Sequence, residues 1–315
     1  MSTAPRPAFL KGHGTENDFV IVPDLDGRLD LSAAAVARIC DRRVGIGGDG
    51  LIRVVRSSAH PEARGMADEA EWFMDYRNSD GSIAEMCGNG VRVFARYLQR
   101  ARLVEAGDLA VATRAGVRHI HIAKETGDAG VTGDTGDTAD TPDGLGAITV
   151  VMGKALLPEP GPDGAITVTV GEHSWPARHV NMANPHAVAF VDDLDQAGDL
   201  LAAPAVHPAS AYPHGTNVEF VVDRGPRHVA MRVHERGSGE TRSCGTGACA
   251  VMVAAARRDG ADPAVTGRPV TYTVDVPGGR LVICERPDGT VEMTGPAVIV
   301  AEGDFDPAWL DTALG

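Results

Sequence analysis

The sequence predicts an α+β protein built from two similar halves, and three observations support this prediction. Short β-rich runs outnumber helical ones, which is typical of an α+β chain rather than of alternating βαβ units. A Cys-Gly-x-Gly turn followed by a long run free of glycine and proline occurs twice, at Cys87 and at Cys244. These cysteines lie 157 residues apart in a chain of 315 residues. Each half of the chain therefore has one such turn.

The predicted strands are short runs rich in β-branched and aromatic residues, bounded by Gly, Pro and Asp. They cover residues 19–22, 51–55, 147–152, 165–170, 186–191, 217–222, 228–233, 270–274, 281–284 and 291–295. Three helices are predicted. The first covers residues 31–43, with a serine in position to cap it, and the other two are the runs that follow the cysteine turns.

The polar segment 124–146 separates the two halves. It is acidic and nearly free of large apolar side chains, so it is predicted to be a solvated, flexible insert. We interpret it as the junction between an N-terminal domain, 1–123, and a C-terminal domain, 147–296. The alternative is a loop insertion inside one domain.

The internal repeat extends beyond the cysteine turns. Asn78 lies nine residues before Cys87, and Glu235 lies nine residues before Cys244. We therefore expect two halves of similar fold, related by an approximate two-fold axis, with the cysteine turns facing each other across a cleft. Two unrelated glycine-rich turns are the weaker alternative.

Charge and hydropathy argue against two classes of partner. The chain has 29 basic and 43 acidic residues and a net charge of −14, the opposite sign to that of a nucleic-acid binder. The longest apolar run, 248–256, is about half as long as a membrane span. The N-terminus lacks the apolar core of a signal peptide. We expect a soluble, cytoplasmic protein whose five cysteines are thiols, without a structural metal because no Cys/His cluster has zinc-ligand spacing.

The two cysteine turns predict an acid–base pair. A cysteine at a helix N-terminus lies at the positive end of the helix dipole, which favours thiolate over thiol. The glycines leave first-turn N–H groups open to an anion such as a carboxylate. Two opposed turns could hold one carboxylate with a sulfur on each face of the adjacent carbon, so that one sulfur removes a proton and the other delivers one. This is the arrangement of a racemase or epimerase.

Other motifs are weaker. The run "GIGGDG" at 45–50 follows a helix and enters a strand, which is the reverse of a dinucleotide site. Pyridoxal phosphate needs a Schiff-base lysine, and the chain has only Lys11, Lys124 and Lys154, so no cofactor is expected. The remaining cysteines lie within apolar runs and are expected in the core; they are Cys40, Cys249 and Cys284.

Six segments together resemble diaminopimelate epimerases. In order they are "FLKGHGTENDFVIV", "RRVGIGGDGLI", "RNSDGSIAEMCGNGVRVFARYL", "NPHAV", "TNVEFV" and "HERGSGETRSCGTGACA". The resemblance implies a homodimeric epimerase, independent of cofactor and metal, that interconverts LL- and meso-diaminopimelate in lysine and peptidoglycan precursor biosynthesis. It also implies two pseudo-symmetric domains, each a barrel-like, mostly antiparallel sheet around a central helix, with the tail 297–315 returning to the first domain.

Carried over residue by residue, the resemblance implies two acid–base thiols, Cys87 and Cys244, tuned by His186 and Glu235. The residues implied for substrate binding are Asn17, Asn78, Gly88, Asn89, Asn184, Asn217, Glu235, Arg236, Gly245 and Thr246. The amides after each cysteine would hold the α-carboxylate, and the asparagines and the arginine would hold the distal amino-acid end. The sequence departs from the family at Gly50, where many relatives carry glutamine.

Two other functions stay open on the sequence. A cofactor-free racemase of proline, hydroxyproline or another small acid would share the fold and the cysteine pair, although it would not need the distal set of asparagines and Arg236. A non-catalytic thiol redox or anion-binding module would leave the matched Asn78 and Glu235 positions without a role. Taken singly, each asparagine could also be a turn residue.

Overall fold

The computed structural model of the protein describes residues 8–124, 146–158 and 166–314. Apart from its first and last residues, Lys124 and Gly146, the predicted acidic insert lies outside the described residues.

The chain divides into two compact units that both contain strands and helices. One unit is Met1–Val150 with Pro296–Gly315, and the other is Val151–Gly295. The predicted two-domain α+β fold is therefore confirmed.

The elements are numbered along the chain. The strands are β1 (Ala8–Gly14), β2 (Asn17–Pro23), β3 (Gly50–Arg56), β4 (Trp72–Asn78), β5 (Gly107–Thr113), β6 (Gly116–Ile122), β7 (Ile148–Lys154), β8 (Ile166–Val170), β9 (His173–Asn181), β10 (Pro185–Phe190), β11 (Ala205–His207), β12 (Asn217–Gly225), β13 (His228–Glu235), β14 (Gly239–Glu240), β15 (Val270–Val276), β16 (Gly279–Glu285), β17 (Thr290–Gly295) and β18 (Val298–Asp304). The helices are α1 (Ala33–Cys40), α2 (Gly88–Arg100), α3 (Gly245–Arg258), α4 (Pro263–Thr266) and α5 (Pro307–Leu314). Across the described ranges, no helix combines the length and the apolar character needed to cross a bilayer.

In the first unit, the strands form a mostly antiparallel ladder in the order β18-β1-β2-β3-β4-β5-β6-β7. The pairs β2–β3 and β4–β5 are parallel. Helix α2 lies against β1, β2, β3, β4 and β18, and its residues from Gly88 to Leu98 are buried. A helix buried on every face needs apolar or internally paired side chains all round, and the run "VRVFARYL" supplies them.

The second unit repeats this plan. Its strands follow the order β11-β8-β9-β10-β12-β13-β15-β16-β17, with parallel pairs at β10–β12 and β13–β15. Helix α3 contacts strands β9, β10, β12, β13, β15, β16 and β17. Its residues Gly247–Ala256 are all buried, so α3 is the central helix of its unit as α2 is of the first.

Helix α1 begins where the sequence predicts a cap and ends early. The Ser32 hydroxyl accepts a hydrogen bond from the Ala35 N–H at 3.1 Å. The helix stops at Cys40, three residues before the predicted end. Its apolar face packs against Phe305 and Leu310 of the C-terminal segment, which also pairs with β1 through β18.

The predicted strands are all present within the described residues, whereas eight further strands were missed. The missed strands are β1, β4, β5, β6, β9, β11, β14 and β18. Several of them contain charged or histidine residues at alternate positions, as in "GVRHIHI" of β6, and these polar residues interrupt the apolar runs on which the prediction relied.

Arg96 on α2 connects the central helix to two distant segments of its unit. Its side chain is 1% exposed. Its guanidinium donates to the Ala297 carbonyl at 3.1 Å and to the Gly146 carbonyl at 2.5 Å. Burying this cation is tolerable only because carbonyl oxygens surround it.

We expect the Arg96→Met change to destabilise the protein by about 2–5 kcal/mol, because it leaves two buried carbonyls without their donor. The melting temperature, followed by circular dichroism, should fall by about 5–15 °C. Arg100→Met is the matched control. Arg100 lies on the exposed surface of the same helix and pairs with Glu302 of β18, and such exposed pairs contribute less than about 1 kcal/mol to stability. Equal effects of the two changes would contradict this role of Arg96.

Candidate active site

Cys87 caps the N-terminus of α2. Its backbone is extended, with φ −139° and ψ 117°, and its sulfur accepts a hydrogen bond from the Gly90 N–H at 3.4 Å. The side chain is half-buried. The sequence predicted this arrangement from the glycines of the turn, which leave the first amides of the helix without covering side chains.

Asn17 and Asn89 lie beside the Cys87 sulfur. The Cys87 thiol is 3.6 Å from the Asn17 Oδ1, which also accepts from the Asn89 Nδ2 at 3.2 Å. The Asn17 Nδ2 donates to the Asp49 carboxylate at 2.8 Å, which fixes the orientation of the amide. The structure thus brings together three of the predicted residues, and Asp49 is an additional one.

A buried cation supports this turn from within α2. The Arg92 guanidinium is fully buried and donates to the Asn89 Oδ1 at 2.7 Å and to the Thr15 hydroxyl at 3.1 Å. Arg92 is linked to the Cys87 sulfur through the side chains of Asn89 and Asn17. Sequence reasoning missed Arg92, although an arginine inside a buried apolar run was the available signal.

Asn78 is held by a different set of contacts, at the end of β4. The Tyr76 hydroxyl donates to its Oδ1 at 3.1 Å, and its Nδ2 donates to the Ser82 hydroxyl at 3.0 Å. Gly50 pairs with Asn78 across β3 and β4. A Cβ at Gly50 would lie 2.7 Å from the Tyr76 ring and 2.6 Å from the Arg77 carbonyl, so Tyr76 occupies the space that a larger residue at position 50 would need.

Cys244 caps α3 in the same way. Its sulfur accepts from the Gly247 N–H at 3.4 Å and lies 3.5 Å from the Thr246 hydroxyl. The side chain is buried, with 5% exposed. The backbone angles at Cys244, φ −115° and ψ 113°, also match those of an extended cap residue. Gly245 and Thr246 are the first two residues of the helix.

The surroundings of Cys244 favour the thiol. Burial, followed by the charges of Glu235 and Glu219, raises the pKa of Cys244 well above its usual value. These effects exceed the helix-dipole stabilisation of a thiolate that the sequence predicts at this cap. Burial also raises the pKa of Glu235, while hydrogen bonds with the Thr241 hydroxyl and the Cys244 thiol oppose that increase.

A chain of hydrogen bonds runs from the start of α3 to His186 on β10. The Asn184 Nδ2 donates to the Thr246 hydroxyl at 3.3 Å, and its Oδ1 is 3.0 Å from the His186 Nε2. The His186 Nδ1 is 2.6 Å from the Glu219 Oε1. His186 and Glu219 are both fully buried. Three predicted residues therefore meet, and Glu219 is a fourth that the sequence analysis missed.

Asn217 holds Arg236 through the backbone. The Asn217 Oδ1 accepts from the Arg236 N–H at 2.9 Å, and its Nδ2 donates to the Pro185 carbonyl at 3.3 Å. The Arg236 side chain is exposed, and its guanidinium donates to the His214 carbonyl at 3.4 Å. Asn217 is buried. It holds the backbone of Arg236, whose guanidinium is exposed to solvent.

The other cysteines have no comparable setting. Cys40 and Cys249 are buried, as predicted, and burial raises the pKa of Cys40 to about 12. Cys284 was expected in the core but is half-buried, because it lies on β16 with its neighbours Ile283 and Glu285 turned to the buried side.

The two caps predict different responses to a methyl group. A Cβ at Gly247 would lie 2.9 Å from the Glu219 Oε1 and 3.3 Å from the Cys244 sulfur, whereas a Cβ at Gly90 would meet its neighbours at 3.4 Å or more. Gly247→Ala should destabilise the protein by about 1–3 kcal/mol through overpacking. Gly90→Ala, the matched control, should be neutral or more stable by up to about 1 kcal/mol, because alanine favours a helix. Chemical denaturation measures both, and an equal loss would contradict the packing described for Gly247.

Solved structures of known proteins share this fold. One is a phenazine biosynthesis protein of the PhzF family from Bacillus anthracis, with a TM-score of 0.66, 16% identity, and coverage of 96% of this chain and 100% of that chain. Another is a hydroxyproline epimerase from Agrobacterium vitis, with a TM-score of 0.62, 12% identity, and coverage of 98% of this chain and 96% of that chain. At these identities, the likeness establishes the fold alone.

Sequence comparison is more specific. The family model described as diaminopimelate epimerase matches residues 9–139 and 178–300. A diaminopimelate epimerase from Streptomyces coelicolor is 71% identical over 314 residues, which covers 100% of both chains. Another from Thermobifida fusca is 45% identical and covers 94% of this chain and 97% of that protein. This chain therefore belongs to the diaminopimelate epimerase family.

Proposed function

We propose that this protein is a diaminopimelate epimerase that interconverts LL- and meso-2,6-diaminopimelate by proton transfer through two thiols, Cys87 and Cys244, without a cofactor. The observation that carries the proposal is the matched pair of cysteine caps in a chain of this family. In each, the sulfur accepts from the third N–H of a buried helix at 3.4 Å. Each sulfur therefore lies directly beside the amides of the first turn.

These amides are proposed to hold the α-carboxylate of the reacting centre. The first N–H groups of a helix have no acceptor within the helix, and at each cap one of them is used by the cysteine sulfur. We assign the neighbouring amides, those of Gly88–Asn89 and Gly245–Thr246, to the anion. Removal of the α-proton places negative charge on this carboxylate, so the same N–H groups stabilise the transition state.

The proton transfer balances within the enzyme and substrate. In one direction, the Cys87 thiolate takes the α-proton, and the electron pair of the broken C–H bond moves into the carboxylate. The Cys244 thiol then donates its proton to the opposite face of the carbon. The enzyme is left with a Cys87 thiol and a Cys244 thiolate, which is the form that catalyses the reverse direction.

The surroundings of the two sulfurs support this starting state. Burial and two carboxylates raise the pKa of Cys244, which fits a proton donor, while the buried Arg92 cation is linked to Cys87 through Asn89 and Asn17. Glu235 makes a hydrogen bond with the Cys244 thiol, and burial raises the pKa of its carboxyl group.

Recognition of the second amino-acid group is assigned to the asparagines and to Arg236. An amide has two N–H donors and two acceptor lone pairs, so the contacts described for Asn17, Asn78 and Asn184 do not exhaust their capacity. The exposed guanidinium of Arg236 can bind the distal carboxylate with two parallel N–H groups.

The biological setting follows from the family resemblance. We propose that the reaction serves lysine and peptidoglycan precursor biosynthesis and that the enzyme is a homodimer. Catalysis by two thiols requires a reducing compartment, which fits the expected cytoplasmic location.

We expect Cys87→Ala and Cys244→Ala each to abolish inversion in both directions, by a factor of about 1,000 or more, because each removes the acid–base group on one face. In heavy water, each variant should still exchange the α-proton of one isomer only, and a different isomer for each variant. Mass spectrometry and chiral chromatography of recovered diaminopimelate measure exchange and inversion separately.

Cys284→Ala is the control for this experiment, since Cys284 lies on β16 and caps neither helix. It should invert diaminopimelate at the wild-type rate. If either cap variant epimerises at an appreciable fraction of that rate, the cysteine it lacks is not an acid–base residue. Activity of the wild type on hydroxyproline but not on diaminopimelate would instead favour the small-acid racemase.

The Arg236→Lys change should raise KM for diaminopimelate at least about tenfold, which corresponds to about 1.4 kcal/mol. Lysine keeps the charge but cannot supply two parallel N–H donors to one carboxylate. Arg224→Lys, on the exposed end of β12, is the control and should leave KM unchanged. Steady-state kinetics of both variants decide the point, and an unchanged KM for Arg236→Lys would show that Arg236 does not contact the substrate carboxylate.

A further inference from the structure

The proposed mechanism gives no role to Glu219, although its side chain is 0% exposed. Its Oε1 lies 2.6 Å from the His186 Nδ1. Its Oε2 is buried and has no hydrogen-bond partner within the described part of the chain. An ionised carboxylate in a buried site is costly unless it is paired or hydrogen-bonded. A glutamate in this position therefore needs an explanation.

The register of two parallel strands explains why Glu219 and His186 meet. On β10 and β12, His186 is opposite Asn217 and Val188 is opposite Glu219. Side chains at alternate positions of a strand share a face, so Glu219 lies on the same face as Asn217 and diagonal to His186. This face is turned towards α3, where a Cβ at Gly247 would lie 2.9 Å from the Glu219 Oε1.

The contacts of the imidazole define what each ring nitrogen does. An ionised carboxylate only accepts hydrogen bonds, so the short contact to Glu219 requires the proton on Nδ1 of His186. With the proton on Nδ1, Nε2 can only accept, so the Asn184 amide, 3.0 Å away, must be turned over to present its NH2 group to that nitrogen. Its oxygen then accepts from the Thr246 hydroxyl in the first turn of α3. The carboxylate thus orients a ring whose other nitrogen faces the substrate-binding amide.

We propose that Glu219 is a positioning residue for the reaction: its carboxylate accepts the Nδ1–H of His186 and fixes the tautomer and orientation of the ring. The inference rests on the proposed function and on the family resemblance, which implies that His186 tunes an acid–base thiol. In an imidazole, the hydrogen bond made by one ring nitrogen decides whether the other nitrogen carries a proton, and it fixes the orientation of the ring. The Glu235 carboxyl and the Cys244 thiol also lie near Glu219. Both are acidic groups, so neither replaces the His186 ring as the partner of the Glu219 carboxylate.

The test is the Glu219→Gln variant of the full-length protein, with nitrogen-15-labelled histidine. In the wild type, the His186 ring should show a protonated Nδ1, with its signals assigned by their loss in His186→Gln. In Glu219→Gln, the amide can donate to Nδ1, so the proton should move to Nε2. The kcat for diaminopimelate should then fall about 100-fold or more, with KM changed less than about threefold.

Glu285→Gln is the matched control, because Glu285 is also a buried carboxylate of this unit, held by Arg257 at 2.6 and 2.8 Å. It should lower stability without changing kcat or the His186 signals. A wild-type His186 without a proton on Nδ1 would overturn the proposal, and this measurement needs no variant to fold. A Glu219→Gln enzyme with wild-type kcat would overturn it as well.

The nuclear magnetic resonance result also separates this inference from the proposed function. If the wild type shows the Nδ1–H signal but does not epimerise diaminopimelate, the function is wrong while the Glu219–His186 contact stands. If the wild type epimerises diaminopimelate but its His186 lacks that proton, the function stands and the role of Glu219 is overturned.

Discussion

A helix that is buried along its length must still satisfy the N–H groups of its first turn, and this constraint shapes both halves of the molecule. Each central helix begins with a cysteine whose sulfur accepts one of those N–H groups at 3.4 Å. The residue that donates is a glycine in both helices, so it adds no side chain at the cap. Strands enclose the rest of each helix, and we propose that its first turn is the part that meets the substrate.

The two caps share a geometry but differ in charge. Near α2, the buried Arg92 guanidinium holds Asn89, and the Asp49 carboxylate holds Asn17. Near α3, His186 is buried with the carboxylates of Glu219 and Glu235, and the charges of the two carboxylates together with burial raise the pKa of Cys244. The proposed transfer of one proton through two sulfurs needs thiols that rest in different protonation states. We propose that these unequal surroundings supply that difference.

The sequence predicts the parts of this structure that depend on local pattern. The apolar runs predict ten strands, and the Cys-Gly-x-Gly turns predict the two central helices together with their caps. Strands such as β1 escape prediction because Lys11, Gly12 and His13 interrupt the apolar pattern, and pairing with β2 and β18 overrides that weak local preference.

The missed site residues have a common cause. Arg92 and Glu219 are charged residues inside apolar runs, and in a sequence such residues indicate a solvent-facing position. Both are fully buried here because their partners come from other segments: Thr15 and Asn89 for Arg92, and His186 for Glu219. The pairing exists only after the strands have found their register, so local pattern does not reveal it.

The same dependence on register explains why the predicted asparagines are better described as parts of networks than as separate ligands. Asn17 is oriented by Asp49, 32 residues away, and Asn217 is joined to Arg236, 19 residues away. An amide that is already held by the protein loses little conformational freedom when a ligand binds to its remaining sites. In the proposed site, discrimination between a substrate with two charged ends and one with a single end depends on how rigidly these amides are held. That rigidity comes from the same sheets that bury the two central helices.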